Sequence, residues 1–358
     1  MSKVLLTGAL KNDCIHRRSL LTTAGGSGFI AAHVLNVLLE RGYAVVTTVR
    51  SNLKGDQILA AHPGVSKEQL SYVVVPDIAE KGAFDEAVRS DPPFEYVLHI
   101  ASPVHHKSED PVKDMLEPAI NGTVGILRAA KAFAPQVKRV VITSSFAAMY
   151  NASPPKVYDE TSWNPVTWDE AVTKRSAYLG SKTFAERAAW DFVEKEKPNF
   201  DISTLTPPLV FGPIVHHLDS LDSVNTSNEV IRDLIQGKIL QDKLPSTGSC
   251  LFVDVRDLAI AHVQAIEVPE AGGKRFFTVA GYYSFAHVVE AIRKTHPELS
   301  SKLPKNPIDD TPEDIYGYDN SRTREILGIK FTPLEKSIGD TAASLLDWSA
   351  KLQSPTSK

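Results

Sequence analysis

The feature that most constrains the fold is an alternation, over the first 205 residues, of short β-branched runs with longer stretches of helical periodicity. Runs that are apolar on both faces predict strands covered on both sides of a sheet. The predicted strands are residues 44–49, 72–75, 96–100, 139–144 and 202–205, and the predicted helices are residues 29–41, 83–89, 112–133 and 177–196. Strands that alternate with helices pair in parallel through right-handed crossovers. The pattern therefore predicts an α/β fold of Rossmann type, a doubly wound parallel sheet.

The chain divides at about residue 206, where this alternation ends. We expect residues 1–205 to form a Rossmann domain that binds the dinucleotide cofactor, and residues 206–350 to form mainly a smaller α/β C-terminal lobe that binds the substrate. Prolines, glycines and polar loops in the second part alternate with predicted helices at residues 255–266 and 284–295. We expect segments of this lobe to return to the Rossmann sheet, so that the lobe is not an independent domain.

Charge and composition exclude several classes of protein. The 358-residue chain carries 39 basic and 43 acidic side chains, a net charge of −4, whereas a nucleic-acid-binding protein needs a basic surface. The longest apolar run, residues 29–39, is shorter than the roughly 20 residues of a membrane span. Two distant cysteines, Cys14 and Cys250, are typical of a reducing compartment. We expect a cytoplasmic protein, a monomer or weak homodimer, with no nucleic-acid or membrane partner.

Close-set glycines before the first predicted helix are typical of a loop that binds phosphate. Gly25 and Gly28 are three residues apart, and Phe29 and Ile30 then lead into the helix, with Ala31 in the third small-residue position. Glycines let the backbone approach a pyrophosphate, and the free N–H groups of the helix N-terminus stabilise its charge. The following strand at residues 44–49 completes a βαβ unit, which strengthens the interpretation.

Two segments are candidates for the strand that leads into this loop, residues 3–8 and residues 19–23. Deleting residues 9–25 would join Gly8 to residue 26 and would leave an uninterrupted glycine loop. We hypothesise that these residues are an insertion, either a genuine loop or the translation of an unspliced intron, and sequencing the transcript would distinguish the two. Accordingly, either Gly8 or Gly25 takes the first glycine position.

Basic residues follow the second predicted strand, at the point where NAD and NADP are distinguished. An acidic residue there binds the ribose hydroxyls of NAD, whereas a basic residue pairs with the 2′-phosphate of NADP. Arg50 and Lys54 occupy this stretch with no acidic residue between them. A guanidinium can donate two charge-assisted hydrogen bonds to a phosphate. The sequence therefore predicts NADPH as the cofactor.

The ends of the third and fourth predicted strands supply further cofactor residues. Asp77, followed by Ile78, has a carboxylate that can accept a hydrogen bond from the adenine amine. Ala101 and Ser102 are small, so the backbone can pass close beside the cofactor.

Tyr178 and Lys182 are four residues apart on a predicted helix, so their side chains share one face. A phenol titrates near 10 and is a poor proton carrier at neutral pH, but a neighbouring ammonium is expected to lower its pKa. A serine at the end of the strand at residues 139–144 could donate a hydrogen bond to a carbonyl oxygen and stabilise a developing alkoxide. Together with the glycine loop, these residues predict acid-assisted hydride transfer.

The chain resembles the extended short-chain dehydrogenase/reductases. Within them it is similar to the fungal NADPH-dependent methylglyoxal and aldehyde reductases, relatives of plant dihydroflavonol reductases and cinnamoyl-CoA reductases. The resemblance spans residues 26–345. Its motifs are residues 26–31, 50–51, 75–78, 101–103, 121–123, 140–145, 163–165, 178–182, 211–213 and 253–257.

The resemblance implies a catalytic triad of Ser145, Tyr178 and Lys182. Tyr178 would protonate the carbonyl oxygen, Lys182 would tune the phenol and bind the nicotinamide ribose, and Ser145 would polarise the carbonyl. Pro207 and Val210 would lie beside the nicotinamide carboxamide.

The resemblance also implies a substrate and a pocket. Val104, Phe146 and Leu209 occupy substrate-pocket positions. The expected reaction reduces an aldehyde or ketone, methylglyoxal-like or bulkier, to an alcohol with NADPH.

Two alternatives remain at this point. A nucleotide-sugar epimerase or dehydratase shares the fold and the triad but holds NAD, which the basic pair Arg50 and Lys54 disfavours. A non-catalytic NADPH-sensing regulator would have lost the tyrosine or the lysine. The histidine pairs at residues 105–106 and 216–217 lack a third ligand at metal spacing, so we expect no metal site.

Overall fold

The computed structural model of the chain describes residues 1–8, 28–101, 110–173, 176–239 and 244–353. Numbered along the chain, its strands are β1 (Lys3–Thr7), β2 (Ala44–Val49), β3 (Leu70–Val74), β4 (Tyr96–His99), β5 (Arg139–Thr143), β6 (Val157–Tyr158), β7 (Asp201–Leu205), β8 (Leu209–Phe211), β9 (Leu251–Asp254), β10 (Lys274–Phe276), β11 (Gly281–Tyr282) and β12 (Gly317–Tyr318).

The helices cover both faces of the main sheet and build much of the C-terminal lobe. They are α1 (Phe29–Glu40), α2 (Asn52–Ala61), α3 (Glu117–Phe133), α4 (Trp168–Ala171), α5 (Ala177–Glu196), α6 (Thr226–Ile235), α7 (Val255–Glu267), α8 (Phe285–Thr295), α9 (Ser321–Leu327) and α10 (Leu334–Gln353). A short π-helical segment, Val112–Leu116, leads directly into α3.

Within the described residues the main sheet has seven parallel strands in the order β10–β7–β5–β4–β1–β2–β3. The strand β1 lies between β2 and β4, with Leu6 opposite Thr47 on one side and Leu98 on the other. The chain therefore winds outward in both directions from β1, which confirms the doubly wound Rossmann-type sheet. In such sheets ligands bind at the carboxyl ends of the strands, beside this switch point.

The first strand is the earlier of its two candidate segments, since Lys3–Thr7 pairs with both neighbours in the sheet. The competing segment at residues 19–23 and the hypothesised insertion at residues 9–25 lie outside the described residues.

Alternate residues of the strands supply two apolar cores. Leu6 faces a core shared with α1 and α7, whereas Leu5 faces the core shared with α3 and α5. Every side chain of β1 from Val4 to Thr7 is buried, as the predicted both-faces-apolar pattern requires. The sheet therefore holds α5 rigidly along one face, with the N-terminal end of the helix near the carboxyl ends of the strands.

The C-terminal lobe is built from small sheets that exchange strands with the Rossmann part. The strands β8, β9 and β11 form a three-stranded mixed sheet, and β12 pairs in parallel with β6. The strand β6 comes from the first 205 residues, and β10 returns to the edge of the main sheet beside β7. Chain segments thus cross between the two parts in both directions.

The predicted helix at residues 83–89 is wrong. Its hydrogen bonds are mainly those of successive turns, for example from Asp85 N–H to the carbonyl of Gly82, at 3.0 Å. Gly82 has a left-handed φ of 78°, which starts the segment outside helical geometry. Phe84 and Val88 are buried at a helix-like spacing, so the apolar pattern is real although the backbone that presents it is not helical.

In the part of the chain that the structure describes, no helix is both long enough and apolar enough to cross a bilayer.

Gly180 allows the helix α5 to approach α4 closely. A methyl group on Gly180 would lie 2.3 Å from the Cβ of Ala171, far inside van der Waals contact. We predict that Gly180→Ala lowers the free energy of unfolding by about 1–3 kcal/mol, measured by urea denaturation, because the overpacking outweighs the helix propensity of alanine.

Gly125→Ala in α3 is the matched control. The nearest side-chain atom to its added methyl is Phe84 Cδ2 at an ordinary 3.8 Å, so the helix propensity of alanine should stabilise the protein by up to about 1 kcal/mol. Equal effects of the two substitutions would contradict the packing argument.

Candidate active site

The helix α5 presents Tyr178 and Lys182 one turn apart at its N-terminal end. The Lys182 Nζ lies 5.9 Å from the centroid of the Tyr178 ring. Tyr178 keeps 40% of its surface exposed, and Lys182 is half-buried. The helix therefore brings a phenol and an ammonium together, with the phenol accessible from outside.

Ser145 completes a three-residue cluster with this pair. It follows β5 at the carboxyl edge of the sheet, and its hydroxyl oxygen accepts a hydrogen bond from Ala147 N–H at 3.1 Å. The Ser145 hydroxyl also hydrogen-bonds to the side chain of Tyr178. The structure thus places Ser145, Tyr178 and Lys182 together, as the sequence predicts.

Burial shifts the pKa values of this cluster in opposite directions. It raises the pKa of Tyr178 above its ordinary value of 10, against the opposite effect of the Ser145 hydrogen bond, and it lowers the pKa of Lys182 to about 8. The ammonium was expected to lower the phenol pKa, but in the folded protein desolvation raises this pKa, and the Ser145 hydrogen bond acts in the opposite direction. The exposed part of Tyr178 limits the size of the rise.

A buried carboxylate, Glu186, supports the cluster from one turn further along α5. Its oxygens accept hydrogen bonds from Ser144 Oγ at 2.6 Å and Thr204 Oγ1 at 2.8 Å, from the carboxyl-terminal regions of β5 and β7. Trp190 Nε1 donates a further bond at 3.3 Å. Because Ser144 immediately precedes Ser145, Glu186 ties the end of β5 to the helix that carries Tyr178.

Arg275 from β10 balances the charge of Glu186. Its Nε lies 2.7 Å from a Glu186 oxygen, and both side chains are less than 10% exposed. The guanidinium also donates to the carbonyls of Glu160 and Ser162 and lies 3.8 Å from the centroid of Trp163. The ion pair therefore joins the catalytic helix to the edge strand and to the loop before α4.

The cofactor edge of the sheet begins at Gly8, directly after β1. Gly8 has a φ of 122°, and a Cβ on it would lie 3.1 Å from the backbone nitrogen of Ala101 and 3.2 Å from the Cβ of Ile100. Only a glycine fits this conformation and close approach. Gly28 then precedes α1, which starts at Phe29.

The other residues predicted for the glycine loop are Phe29, Ile30 and Gly25. Phe29 and Ile30 form the first turn of α1, and Gly25 lies outside the described residues.

The residues predicted for the adenosine half of the cofactor lie at the ends of β2 and β3. Arg50 directly follows β2, and Lys54 is buried in the first turns of α2. Asp77 is exposed and accepts a hydrogen bond from Ala79 N–H at 2.8 Å. Ile78 packs close to Gly122 of α3. Ser102 lies outside the described residues.

The segment after β7 lies beside the cluster. The Pro207 carbonyl accepts a hydrogen bond from Phe146 N–H at 2.8 Å, which fixes this segment next to Ser145. Val210 is buried and Leu209 is half-buried.

The predicted pocket residues differ in accessibility. The Phe146 ring is 3% exposed and stacks on Phe277, with 5.4 Å between the ring centroids. Phe146 thus backs the site from within an aromatic cluster, and its role as a pocket residue stays a prediction. Val104 lies outside the described residues.

Other residues considered in the sequence lie in surroundings typical of a structural role. His99 is buried in β4, where its Nδ1 lies 2.9 Å from Thr7 Oγ1, and burial lowers its pKa to about 3. Cys250 is buried, and no group of three or more metal-ligating side chains occurs among the described residues.

The sequence analysis missed two residues that contact the predicted site residues or their neighbours. Glu186 lies four residues after Lys182, so the helical spacing could have identified it. Asp219 lies 3.5 Å from the Lys54 ammonium but 165 residues away along the chain, and nothing in its local sequence indicates that contact.

A doubly wound sheet with a glycine turn after β1 and a tyrosine–lysine–serine cluster at the strand ends defines a dinucleotide-dependent short-chain dehydrogenase/reductase. Residues 22–280 match the NAD dependent epimerase/dehydratase family, and the chain belongs to this family, among its extended short-chain members.

Three individual proteins are similar to this chain over nearly its whole length. Ketoreductase azaE of Aspergillus niger is 51% identical, over 92% of this chain and 98% of the relative. The putative NADPH-dependent methylglyoxal reductase GRP2 of Candida albicans is 43% identical, over 90% of this chain and 97% of the relative. A crystal structure of Gre2 from Candida albicans in complex with NADPH is 34% identical, covers 97% of this chain and 99% of its own, and superposes with a TM-score of 0.85.

The buried ion pair predicts a large stability effect. We predict that Glu186→Ala lowers the free energy of unfolding by about 3–5 kcal/mol, measured by chemical denaturation, because it leaves the Arg275 charge buried and unpaired. Thr204→Val removes one neutral donor to the same carboxylate and should cost about 1 kcal/mol.

Glu196→Ala at the end of the same helix is the control. Glu196 pairs with Lys131 at the surface, at 2.7 Å, and its removal should leave the denaturation curve nearly unchanged. A Glu186→Ala protein as stable as the Glu196→Ala protein would show that the buried pair contributes nothing.

Proposed function

We propose that the protein is an NADPH-dependent carbonyl reductase that converts aldehydes and ketones, methylglyoxal-like or bulkier, into alcohols. The cluster of Ser145, Tyr178 and Lys182 at the carboxyl edge of the sheet carries the proposal. Similarity over nearly the whole chain to a ketoreductase and to a methylglyoxal reductase supports it. We also propose that it works in the cytoplasm as a monomer or weak homodimer.

The residues on the cofactor edge fit an NADPH molecule. Gly8 would let the backbone pass beside the pyrophosphate, because its conformation and surroundings exclude a side chain. Arg50 and Lys54 would hold the 2′-phosphate, and Asp77 the adenine amine. The bound NADPH would supply the hydride.

The remaining cofactor contacts would come from both sides of the switch point. We assign them to Gly28, Phe29, Ile30, Ile78, Ala101, Pro207 and Val210.

The chain's own residues would manage the proton and the developing charge. Tyr178, which like any phenol is protonated at neutral pH, would donate its phenolic proton to the carbonyl oxygen of the substrate. The Ser145 hydroxyl would donate a hydrogen bond to the same oxygen and stabilise negative charge on it. The Lys182 ammonium would stabilise the phenolate left behind and bind the nicotinamide ribose.

The substrate class can be tested by mixing the protein with NADPH and following the loss of absorbance with methylglyoxal, larger diketones, aliphatic aldehydes and aryl ketones. Turnover with at least one class is expected. No turnover with any of them would favour a non-catalytic NADPH-binding protein, and NAD that copurifies with the protein would favour an epimerase.

Removing the phenolic hydroxyl tests the proton donor. We predict that Tyr178→Phe lowers kcat by at least about 100-fold, the contribution typical of a general acid, while the Kd for NADPH changes little. Tyr282→Phe is the control, since it removes a hydroxyl that donates to the Tyr316 carbonyl in the lobe. A Tyr178→Phe enzyme with nearly normal kcat would overturn the assignment.

The lowered pKa of Lys182 predicts a pH dependence. The ammonium is present below a pKa of about 8 and is lost above it, so kcat/KM for carbonyl reduction should fall as the pH rises through this value. In Lys182→Arg the guanidinium keeps its charge, and the fall should move beyond pH 10. A decline that stays near pH 8 in Lys182→Arg would assign it to a different group.

A further inference from the structure

The Lys54 ammonium is already paired within the protein. Its side chain is only 8% exposed, and its Nζ lies 3.5 Å from an oxygen of Asp219, a residue between β8 and α6. The C-terminal half of the chain thus places a carboxylate beside a lysine that we assign to the 2′-phosphate of NADPH.

The segment that carries Asp219 is held at its start by two helices. The His33 ring of α1 lies 2.8 Å from the Pro213 carbonyl, and Ile214 N–H donates to Ser344 Oγ of α10 at 2.9 Å. These contacts hold the start of the segment, five residues before Asp219, between α1 and α10.

A second contact orients the carboxylate itself. His217 Nε2 lies 3.0 Å from one Asp219 oxygen, while the other oxygen faces Lys54. The His217 ring in turn packs edge-on against Trp348, with 5.9 Å between the centroids. Asp219 is therefore positioned by its own segment to face Lys54.

We propose that Asp219 is a specificity-determining residue that competes with the 2′-phosphate of NADPH for Lys54 and so reduces the preference for NADPH over NADH. The inference rests on the proposed role of Lys54. A phosphate brought to Lys54 must displace the Asp219 carboxylate or lie beside it, and either costs binding free energy. NADH has no charge at that position and leaves the ion pair intact, so the cost falls on NADPH alone.

The size of the effect follows from exposure. Asp219 is 48% exposed, so solvent screens the ion pair and its free energy is small. Repulsion between the carboxylate and a phosphate dianion adds to it. We expect Asp219→Asn to lower the Kd for NADPH by roughly twofold to fivefold, the order expected for a partly screened charge pair, and to leave the Kd for NADH unchanged.

The Kd values for NADPH and NADH can be measured by calorimetry on the full-length protein, with melting curves of each variant to verify folding. The matched control is Asp222→Asn, which removes the same charge three residues later from a side chain that is 65% exposed and lies 4.0 Å from Arg232. Tighter NADPH binding in Asp219→Asn alone is expected. An equal change in both variants, or an equal change for both cofactors, would overturn the proposal.

Lys54→Met separates this proposal from the one on which it rests. If Lys54 binds the 2′-phosphate, Lys54→Met weakens NADPH binding and leaves NADH binding unchanged. An unchanged ratio of the two Kd values would refute the role of Lys54 itself. In the double variant Lys54→Met/Asp219→Asn, the effect of Asp219→Asn should shrink toward that of Asp222→Asn. If Lys54→Met acts as expected but Asp219→Asn keeps its full effect in the double variant, the competition for Lys54 is wrong.

Discussion

The site depends on the placement of two ionisable side chains, one turn apart on α5, in surroundings that favour their neutral forms. Burial raises the pKa of the Tyr178 phenol and lowers that of the Lys182 ammonium. Ser145 opposes the first effect through its hydrogen bond, but desolvation is the larger influence. Tyr178 therefore stays protonated at neutral pH, as any phenol does, and in the proposed reaction the Lys182 ammonium would stabilise the phenolate that proton transfer leaves behind.

The cluster is held in place by a charged pair behind it. Glu186 lies one turn after Lys182 on α5. Its oxygens accept hydrogen bonds from Ser144 and Thr204, at the carboxyl ends of two neighbouring strands. Arg275 supplies the opposite charge from the edge strand β10, so the buried carboxylate is both neutralised and hydrogen-bonded. The relative position of the helix and the end of β5 is thus set by directional bonds as well as by apolar packing.

The sequence predicts an element correctly where its apolar pattern and its backbone conformation correspond to the same secondary structure. The strand Ala44–Val49 and the helix Ala177–Glu196 have the predicted bounds, because both have an unbroken periodicity. The segment at residues 83–89 has a helical apolar spacing but follows a left-handed glycine, so the pattern predicts its burial and not its backbone. The two-residue strands β6 and β12 are too short to produce a pattern at all.

The sequence also predicted part of the candidate site. The spacing of Tyr178 and Lys182 identifies their common helix face, and Ser145 follows from its place after a strand. The direction of the phenol pKa was not predictable, since it depends on how much protein surrounds the hydroxyl. The pairing of Lys54 with Asp219 brings together residues far apart in the chain, and only the folded structure supplies it.

The protonation of Tyr178 can be measured directly by NMR titration of protein labelled with ¹³C at the tyrosine ζ carbon, with Tyr178→Phe used to assign the signal. The account predicts that Tyr178 in the protein without cofactor titrates above the ordinary phenol value of about 10, and that Ser145→Ala raises its pKa further by removing the stabilising hydrogen bond. A Tyr178 that titrates below 10 would show that the Lys182 charge, and not burial, controls the phenol.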